Sequence, residues 1–367
     1  MPEIARLSFQ KESDSFFQEL RKEVHVYLEQ QPNGRYANRK AVIKAIVLFS
    51  GFLASYLTIL SATASWHLLL GYSCLGPIGI FLVLNTGHDA SHSSFSTQKW
   101  VNKFLLLSFN LLGISGYMWR LRHVHSHHIM PNVPDWDVDI SQSKIVRLSP
   151  RTVKWKIHAY QHIYMPFLYL LYTLNMFIFR DFKDFTDKQI GQLEVKEHPR
   201  KELMILVLTK VFFFGYLFLI PLWVTPFSWP TILVGFLLAE VMASLFLTFI
   251  LVSAHVGEDS VYPEPNEHNL IEHSWARHQV MTTTDFSTAS PLVTHLYGAF
   301  NHHTVHHLFP YVCHIHYPVL THMMVRKLEE HQIPYNLNPK LTQAIWSHYK
   351  LLMKHSKIKE PMERIDL

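Results

Sequence analysis

Long apolar runs, separated by polar stretches, dominate the hydrophobic pattern of this chain. Four of them reach the roughly 20 residues that a helix needs to cross a bilayer. They cover residues 41–62, 67–86, 203–224 and 231–253. Short turns at 61–66 and 225–230 join the runs into two hairpins. The pattern predicts an all-α membrane protein with four transmembrane helices in two hairpins, below a helical cap.

The basic residues predict how these hairpins are oriented. Neither turn contains Lys or Arg, whereas both are frequent in the rest of the polar sequence. The positive-inside rule therefore places both turns outside and the cap and both termini in the cytosol, so that a bacterial protein would lie in the inner membrane. Trp66, Trp223 and Trp229 would then form an outer aromatic belt. We divide the chain into an N-terminal amphipathic cytosolic arm (1–40), a transmembrane domain that carries the candidate chemistry (41–325) and a C-terminal cytosolic helical tail (326–367).

The segments outside the spans give further expectations. Residues 1–20 contain several charges and no uninterrupted apolar core, so we predict no signal peptide. Apolar residues recur at helical spacing from Phe16 onward, which indicates an amphipathic helix. The apolar stretches 104–119 and 164–179 are interrupted by Asn, Gly or Pro and are better read as interfacial or re-entrant segments. Asn338 and Pro339 predict the cap and first turn of a helix in the tail.

The composition limits which kinds of site and partner the chain can have. The chain is 49% hydrophobic and only 17% charged, but it contains 26 histidines among 367 residues. Its two cysteines, Cys74 and Cys313, exclude a disulfide scaffold and a cysteine-rich metal site. The net charge of +5 comes without a dense basic stripe, which argues against a nucleic-acid partner and fits contact with anionic membrane lipids.

Three histidine clusters at the edges of the apolar segments are the strongest functional signal. On helices, positions three and four apart share one face. The clusters contribute eight imidazoles in all, which are His88, His92, His123, His127, His128, His303, His306 and His307. Imidazole binds iron, zinc and copper well, and eight ligands exceed what one ion takes. The pattern predicts a two-metal centre at a membrane surface and redox chemistry on an apolar substrate.

Other polar residues near the clusters receive weaker predictions. His125 would point away from its neighbours and act behind the ligands or in packing, and the isolated pair His158 and His162 is not counted as metal-binding. Seven further histidines are expected to be ordinary hydrogen-bonded residues, namely His268, His273, His278, His295, His302, His314 and His316. Ligating imidazoles need partners on the second ring nitrogen. Candidate partners are Asp89, Asp135, Asp137, Asp139, Glu258, Asp259 and Asp285.

Two ionisable residues lie inside the predicted spans, where charge is costly and is a functional candidate. We expect Lys210 to extend to the cytosolic interface. Glu240 lies deeper, and three roles remain open for it: lining a tunnel, pairing with Lys210, or being protonated.

Taken together, these motifs resemble the three histidine boxes of the integral-membrane fatty acid desaturases. The resemblance includes Asn85–His92, Trp119–Asn132 and Asn301–Pro310, and the segments 160–166 and 278–286 between them. It covers roughly residues 16–325. Within the family, the chain is most similar to bacterial desaturases of the linoleoyl-CoA, front-end-like type without a fused cytochrome domain.

The resemblance implies an enzyme with two iron ions (Fe²⁺/Fe³⁺) and nine histidine ligands. The ninth maps to His255, directly after the fourth run. The family reaction uses O₂ and two electrons to place a cis double bond in an acyl chain carried by CoA, a phospholipid or a carrier protein. No further catalytic residue is implied. The haem-domain signature His-Pro-Gly-Gly does not occur in this sequence, so the expected electron donor is a separate ferredoxin or cytochrome.

Two departures and two alternatives stay open. His303 stands where many front-end enzymes have Gln, which leaves the bond position undecided, and Leu251 stands where stearoyl-type enzymes have Asn. The same metal site would also suit a hydroxylase, a ketolase or a sphingolipid-modifying enzyme. A metal transporter or storage protein is a remote alternative, because it would place ligands along a path within the spans.

Overall fold

The computed structural model describes residues 7–11, 14–141, 143–191, 193–195 and 197–357. Within them, four helices are long and apolar enough to span a membrane, namely Arg39–Leu60, Ser65–Ser91, Arg200–Val224 and Trp229–His255. The four predicted spans are thus confirmed, with ends shifted by a few residues. The side of the membrane on which their ends lie stays a prediction.

Small residues let the spans pack closely. The second span crosses the fourth at Gly76, where an added Cβ would lie 2.3 Å from the carbonyl oxygen of Ala239. At Gly235 of the fourth span, an added Cβ would lie 2.3 Å from the ring of Tyr72. Lipid tails are as apolar as the helix side chains, so burial of apolar surface does not drive helices together in a membrane. Close backbone approach stabilises the pair instead, because it increases van der Waals contact. Among the four spans of the described residues, the second is also the most buried within the protein.

The two interrupted apolar stretches form bent helix pairs. Lys99–Leu111 and Gly116–His127 meet at 99°, and Lys156–Tyr169 and Tyr172–Thr186 meet at 82°. Both stretches are bent, and the prediction that they are interfacial or re-entrant, rather than broken spans, stays a prediction. At the second bend, the backbone N–H of Thr173 donates to Ser244 Oγ at 3.0 Å. We call residues 156–186 the re-entrant segment, after this prediction.

The two ionisable residues inside the spans, Lys210 and Glu240, make hydrogen bonds to other segments of the protein. Lys210 Nζ donates to Asp181 Oδ2 at 2.6 Å and to the carbonyl of Gly113 at 2.5 Å, and its side chain is buried. The expectation that Lys210 reaches the aqueous interface is therefore wrong. Glu240 is also buried and accepts a hydrogen bond from Thr173 Oγ1 at 2.7 Å. This bond helps to anchor the re-entrant segment.

The remaining helices form the cap and the connections within the described residues. The α-helices outside the spans are Ser15–Glu29, Lys99–Leu106, Ser108–Leu111, Gly116–Arg122, Gln161–Tyr169, Tyr172–Asn175, Asp181–Thr186, Trp275–Thr282, Pro291–Leu296, His303–Leu308, Tyr317–Glu330 and Leu341–Lys357. π-Helical turns occupy Val83–Gly87, His123–His127, Met176–Arg180 and Gly215–Leu219, and 3₁₀ turns occupy Lys156–Tyr160 and His314–His316. Two-residue strands pair Ser8–Phe9 with Leu270–Ile271, Gln189–Ile190 with Leu193–Glu194, and Asp285–Phe286 with Leu337–Asn338.

The helix predicted near the N-terminus is confirmed, whereas the cap predicted for the C-terminal helix is wrong. The amphipathic helix Ser15–Glu29 is confirmed, and it buries its apolar face in a cluster shared with Tyr317–Glu330. The tail helix begins at Leu341, so the prediction that Asn338 caps it is wrong. Asn338 instead pairs with Phe286 in a short parallel strand pair. The backbone carbonyl of Lys340 accepts from the N–H groups of Gln343 at 3.0 Å and Ala344 at 3.1 Å.

Candidate metal centre

The first histidine cluster lies where the second span widens into a π turn, Val83–Gly87, before the helix His88–Ser91. Asn85 Nδ2 donates to the carbonyl of Phe81 in its own helix and to that of Leu296, both at 2.8 Å. Gly298, with φ +58°, makes the close approach possible, since a Cβ there would lie 2.5 Å from the carbonyl oxygen of Leu84. These contacts hold the chain that precedes the third cluster against the first cluster.

The second cluster also lies on a π turn, His123–His127, closed by a bond of 3.0 Å from the N–H of His128 to the carbonyl of His123. In a regular α-helix, positions five apart point about 140° away from each other. The wider π turn brings His128 back to the side of His123 and His127, as π turns at functional sites do. His125 points away as predicted, but it is exposed rather than packed.

The third cluster lies on the short helix His303–Leu308. Asp285 holds the start of this helix, because its carboxylate accepts from the Thr304 N–H at 2.7 Å and from Thr304 Oγ1 at 2.9 Å. Tyr335 donates to the other carboxylate oxygen at 2.7 Å. Burial raises the pKa of Asp285 to about 6 despite these donors. His255 is the last residue of the fourth span and faces His303.

The histidines converge in two groups. The first contains His88, His92, His123 and His306, and the second contains His127, His255, His303 and His307. Within each group, one ligand nitrogen per residue lies within 4.8 Å of the others. His128 lies between the groups. The prediction that the three clusters meet at one place is confirmed.

The ring nitrogens approach one another closely. In the second group, the Nε2–Nε2 distances are 3.0 Å from His127 to His255, 2.7 Å from His255 to His303 and 3.1 Å from His303 to His307. In the first, His123 Nε2 lies 3.0 Å from His88 Nε2, and it also lies 3.1 Å from Nε2 of His128, between the groups.

In the second group, the hydrogen-bond partners of the Nδ1 atoms show which nitrogen of each ring carries the hydrogen. His127 Nδ1 contacts both carboxylate oxygens of Asp137 at 3.1 Å, and His255 Nδ1 lies 3.1 Å from the carbonyl oxygen of Thr282. Carboxylates and carbonyls only accept hydrogen bonds. The Nδ1 atoms of His127 and His255 must therefore carry hydrogen, and in a neutral ring the lone pair is then on Nε2.

His307 follows the same rule, because its Nδ1 lies 2.9 Å from Gln279 Oε1. In the first group, His306 Nδ1 lies 3.0 Å from the hydroxyl of Tyr317. Gln279, Thr282 and Tyr317 were not recognised as functional from the sequence. Gln279 and Thr282 do belong to the segment 278–286 that carries part of the family resemblance, so that segment was the available signal.

Converging lone pairs need a cation between them. Two imidazoles bound at right angles to one ion, each at about 2.1 Å, would place their nitrogens roughly 3 Å apart. The observed separations match this value. His92 Nε2 and His306 Nε2 are buried and have no hydrogen-bond partner among the described residues. The donor set therefore fits a metal site.

Burial keeps four of these rings neutral and available. It lowers the pKa of His128, His303, His306 and His307 well below the ordinary value, and the neighbouring imidazoles lower it further. His127 differs, because the effect of burial is outweighed by the Asp137 carboxylate, which raises the pKa of that ring to about 9. Neutral imidazole is the form that binds metal.

A cavity of about 780 Å³ opens beside the two groups. His123 of the first group and His127, His255 and His303 of the second line it. Its walls are largely apolar and come from the re-entrant segment and from Leu251 and Val252 of the fourth span. This size lies within the range of small-molecule sites in proteins, roughly 300–1,000 Å³. Glu240 does not line this cavity.

The remaining candidate residues are held by hydrogen bonds or ion pairs, or are exposed. Asp89 accepts from His314 Nδ1 at 2.7 Å and from the thiol of Cys313 at 3.0 Å. Asp135 is exposed, and Glu258 pairs with Lys350 at 2.8 Å. His158 is held by backbone groups on both ring nitrogens.

Other predicted non-ligands are also accounted for. His278 donates to the carbonyl of Pro131 at 2.9 Å, and His302 contacts Thr321 Oγ1 at 2.9 Å. His268 and His295 are exposed.

Comparison with known proteins adds independent information. The model of the fatty acid desaturase family matches residues 63–339. The chain is 29% identical to the sn-1 linoleoyl-lipid 6-desaturase of Synechocystis sp. over 335 residues, which cover 91% of this chain and 93% of that protein. It is 28% identical to the protein of the same name from Arthrospira platensis over 354 residues, covering 96% and 95%. It is 29% identical to the acyl-lipid (8-3)-desaturase of Physcomitrium patens over 346 residues, covering 94% and 72%.

Proposed function

The chain belongs to the fatty acid desaturase family, and from this premise we propose that it desaturates lipid-linked acyl chains at two irons held by nine histidines. The first iron would be held by His88, His92, His123, His128 and His306. The second would be held by His127, His255, His303 and His307. The assignment of His128 to the first set rests on its Nε2 contact with His123.

One observation carries this proposal. The histidine nitrogens converge in two adjacent groups beside a largely apolar cavity, and four of the histidines line it. An acyl chain that lies in this cavity would pass both groups. When bound, the irons would activate O₂, so that O₂, two electrons and two protons take two hydrogens from the chain and leave a double bond and two waters.

The protein's own residues would orient the rings and exclude water. Asp137, the Thr282 carbonyl and Gln279 keep Nδ1 protonated and so keep Nε2 available to metal. Leu251 and Val252 line the path of the chain and would keep a reactive centre dry. The cavity would also decide which carbons lie beside the metals, since positioning is a large part of such catalysis.

The names of the relatives support a lipid as the acyl carrier, because the three reported above are all called linoleoyl-lipid or acyl-lipid desaturases. We propose the same carrier class here, rather than CoA or a carrier protein. Electrons would come from a separate ferredoxin or cytochrome, and the metal centre and both termini would face the cytosol. Reconstitution with each donor, and labelling of engineered surface cysteines from each side of the membrane, test these two points.

The central test is loss of metal and product together. In a host without polyunsaturated lipids, the full chain should form new double bonds, located by gas chromatography–mass spectrometry of derivatised fatty acids. His127→Ala and His306→Ala should abolish the product and lower the iron content of the purified protein. His268→Ala, at an exposed position, is the matched control and should change neither. Full activity in either ligand variant would contradict the assignment, and products that gain one oxygen would favour a hydroxylase instead.

A further inference from the structure

The cavity has an unusual wall on the side of the re-entrant segment. Leu168, Leu171, Ile178 and Phe179 all line the cavity. The same four apolar side chains are also exposed, by 38%, 44%, 43% and 66% respectively. The cavity is partly open, and apolar side chains that both line it and are exposed form an edge of its opening. We call these four residues the portal.

The portal lies at the depth of the membrane's apolar layer. The bend beside it docks on Ser244, through the Thr173 N–H, and the carbonyl of Tyr169 accepts from Thr248 Oγ1 at 3.3 Å. Ser244 precedes His255, the end of the fourth span, by 11 residues, or about 16 Å of helix. The hydrocarbon layer is about 30 Å thick. The four exposed apolar side chains therefore face lipid tails rather than water.

Two lysines lie where the cavity becomes polar. Lys144 and Lys183 line it and are exposed, and Lys183, whose ammonium also pairs with Asp187 at 2.8 Å, follows Phe179 of the portal by one helical turn. Ammonium groups at that position suit a phosphate, and long basic side chains near a membrane commonly reach the headgroup layer. An apolar opening below and positive charge above match the two parts of a phospholipid.

We propose that the acyl chain enters this cavity sideways from the bilayer, through the portal, while still attached to a membrane phospholipid. Lys144 and Lys183 would hold the headgroup phosphate. This inference rests on the proposed function for its substrate, but it concerns the route of entry and can be tested without turnover. An acyl-CoA shares the acyl chain and the phosphates, but it would enter from the aqueous side.

Photolabelling separates these routes. The full chain is placed in nanodiscs that contain a phospholipid with a diazirine near the end of one acyl chain, and labelled residues are mapped by mass spectrometry. Trp119 and Val252 line the cavity and are 6% and 8% exposed, so a lipid tail reaches them only from inside. We expect labels on both from the phospholipid. A diazirine acyl-CoA added from solution should label them weakly.

Matched variants test the portal itself. Leu171→Trp combined with Ile178→Trp adds bulk at the opening and should lower phospholipid labelling of Val252 by at least about fivefold, as expected for an overpacked site. Phe167→Trp is the control, because Phe167 is on the same segment and 69% exposed but does not line the cavity. It should leave labelling unchanged.

The outcomes distinguish the two proposals. Equal labelling of Val252 in the portal variant and the control would overturn the lateral route, as would stronger labelling by acyl-CoA than by phospholipid. Desaturation could still stand in either case. Portal-dependent labelling in a protein that forms no double bonds would instead support the route and count against the proposed reaction.

Discussion

Asp137 offers the sharpest test of how the protein prepares a metal ligand. Its carboxylate contacts His127 Nδ1 with both oxygens at 3.1 Å. It also accepts from the backbone N–H groups of Asn132 and Asp139, both at 2.8 Å. Asp137→Asn keeps the shape but replaces one accepting oxygen with an NH₂ group that must face a donor. One buried N–H group then loses its partner.

The expected loss of iron affinity follows from the hydrogen bonds that this substitution removes. Leaving a buried donor unsatisfied costs about 1–3 kcal/mol. Loss of the carboxylate behind a ligating histidine typically lowers metal affinity about 10- to 100-fold, which corresponds to about 1.4–2.7 kcal/mol. We therefore expect Asp137→Asn to bind iron about 10- to 100-fold more weakly.

The assay is a titration of the purified, iron-loaded protein with a chelator, followed by measurement of retained iron. Asp135→Asn is the matched control, because Asp135 is exposed and lies two residues away. Its φ of +66° is a conformation that Asn also tolerates. Equal iron retention in the two variants would refute the reasoning. Thermal unfolding of both metal-free variants would show whether a loss of iron reflects a general loss of stability.

Two further predictions concern the membrane-embedded framework. Gly76→Ala should lower the unfolding temperature in detergent at a cost of about 1–3 kcal/mol, because its Cβ would meet a backbone carbonyl, whereas Gly215→Ala, with nothing within 4 Å, should not. Lys210→Met should cost about 1–3 kcal/mol, because the Asp181 carboxylate loses the Lys210 ammonium but keeps the guanidinium of Arg122 at 2.9 Å. Lys201→Met, at a side chain 73% exposed, should stay within about 0.5 kcal/mol in the same unfolding assay. Equal shifts within either matched pair would contradict the corresponding packing or ion-pair argument.

The spans and the histidine clusters were predictable because both depend on properties of short segments. A run of about 20 apolar residues has few structures available in lipid other than a helix. His303, His306 and His307 share a face on any regular helix. The division into residues 1–40, 41–325 and 326–367 stays a prediction.

Two predictions, for Asn338 and Lys210, were wrong for the same reason. A local sequence pattern does not show partners that are distant in the sequence. Asn338 is a good cap by its residue type, but its backbone pairs with Phe286, more than fifty positions earlier. Lys210 was expected to seek water, but a carboxylate from the re-entrant segment reaches it within the protein. Neither partner is adjacent in sequence.

The sequence by itself therefore determined the membrane class, the four spans and the set of histidines. Only the tertiary structure decided how those histidines divide into two groups, because a π turn rotates His128 back toward His123 and the last turn of the fourth span presents His255 to His303. It also decided the proton positions, through the distant oxygen atoms of Thr282 and Gln279. Hydrophobicity and spacing act along the chain, whereas hydrogen-bond partners and cavity walls are set by segments that meet only after folding.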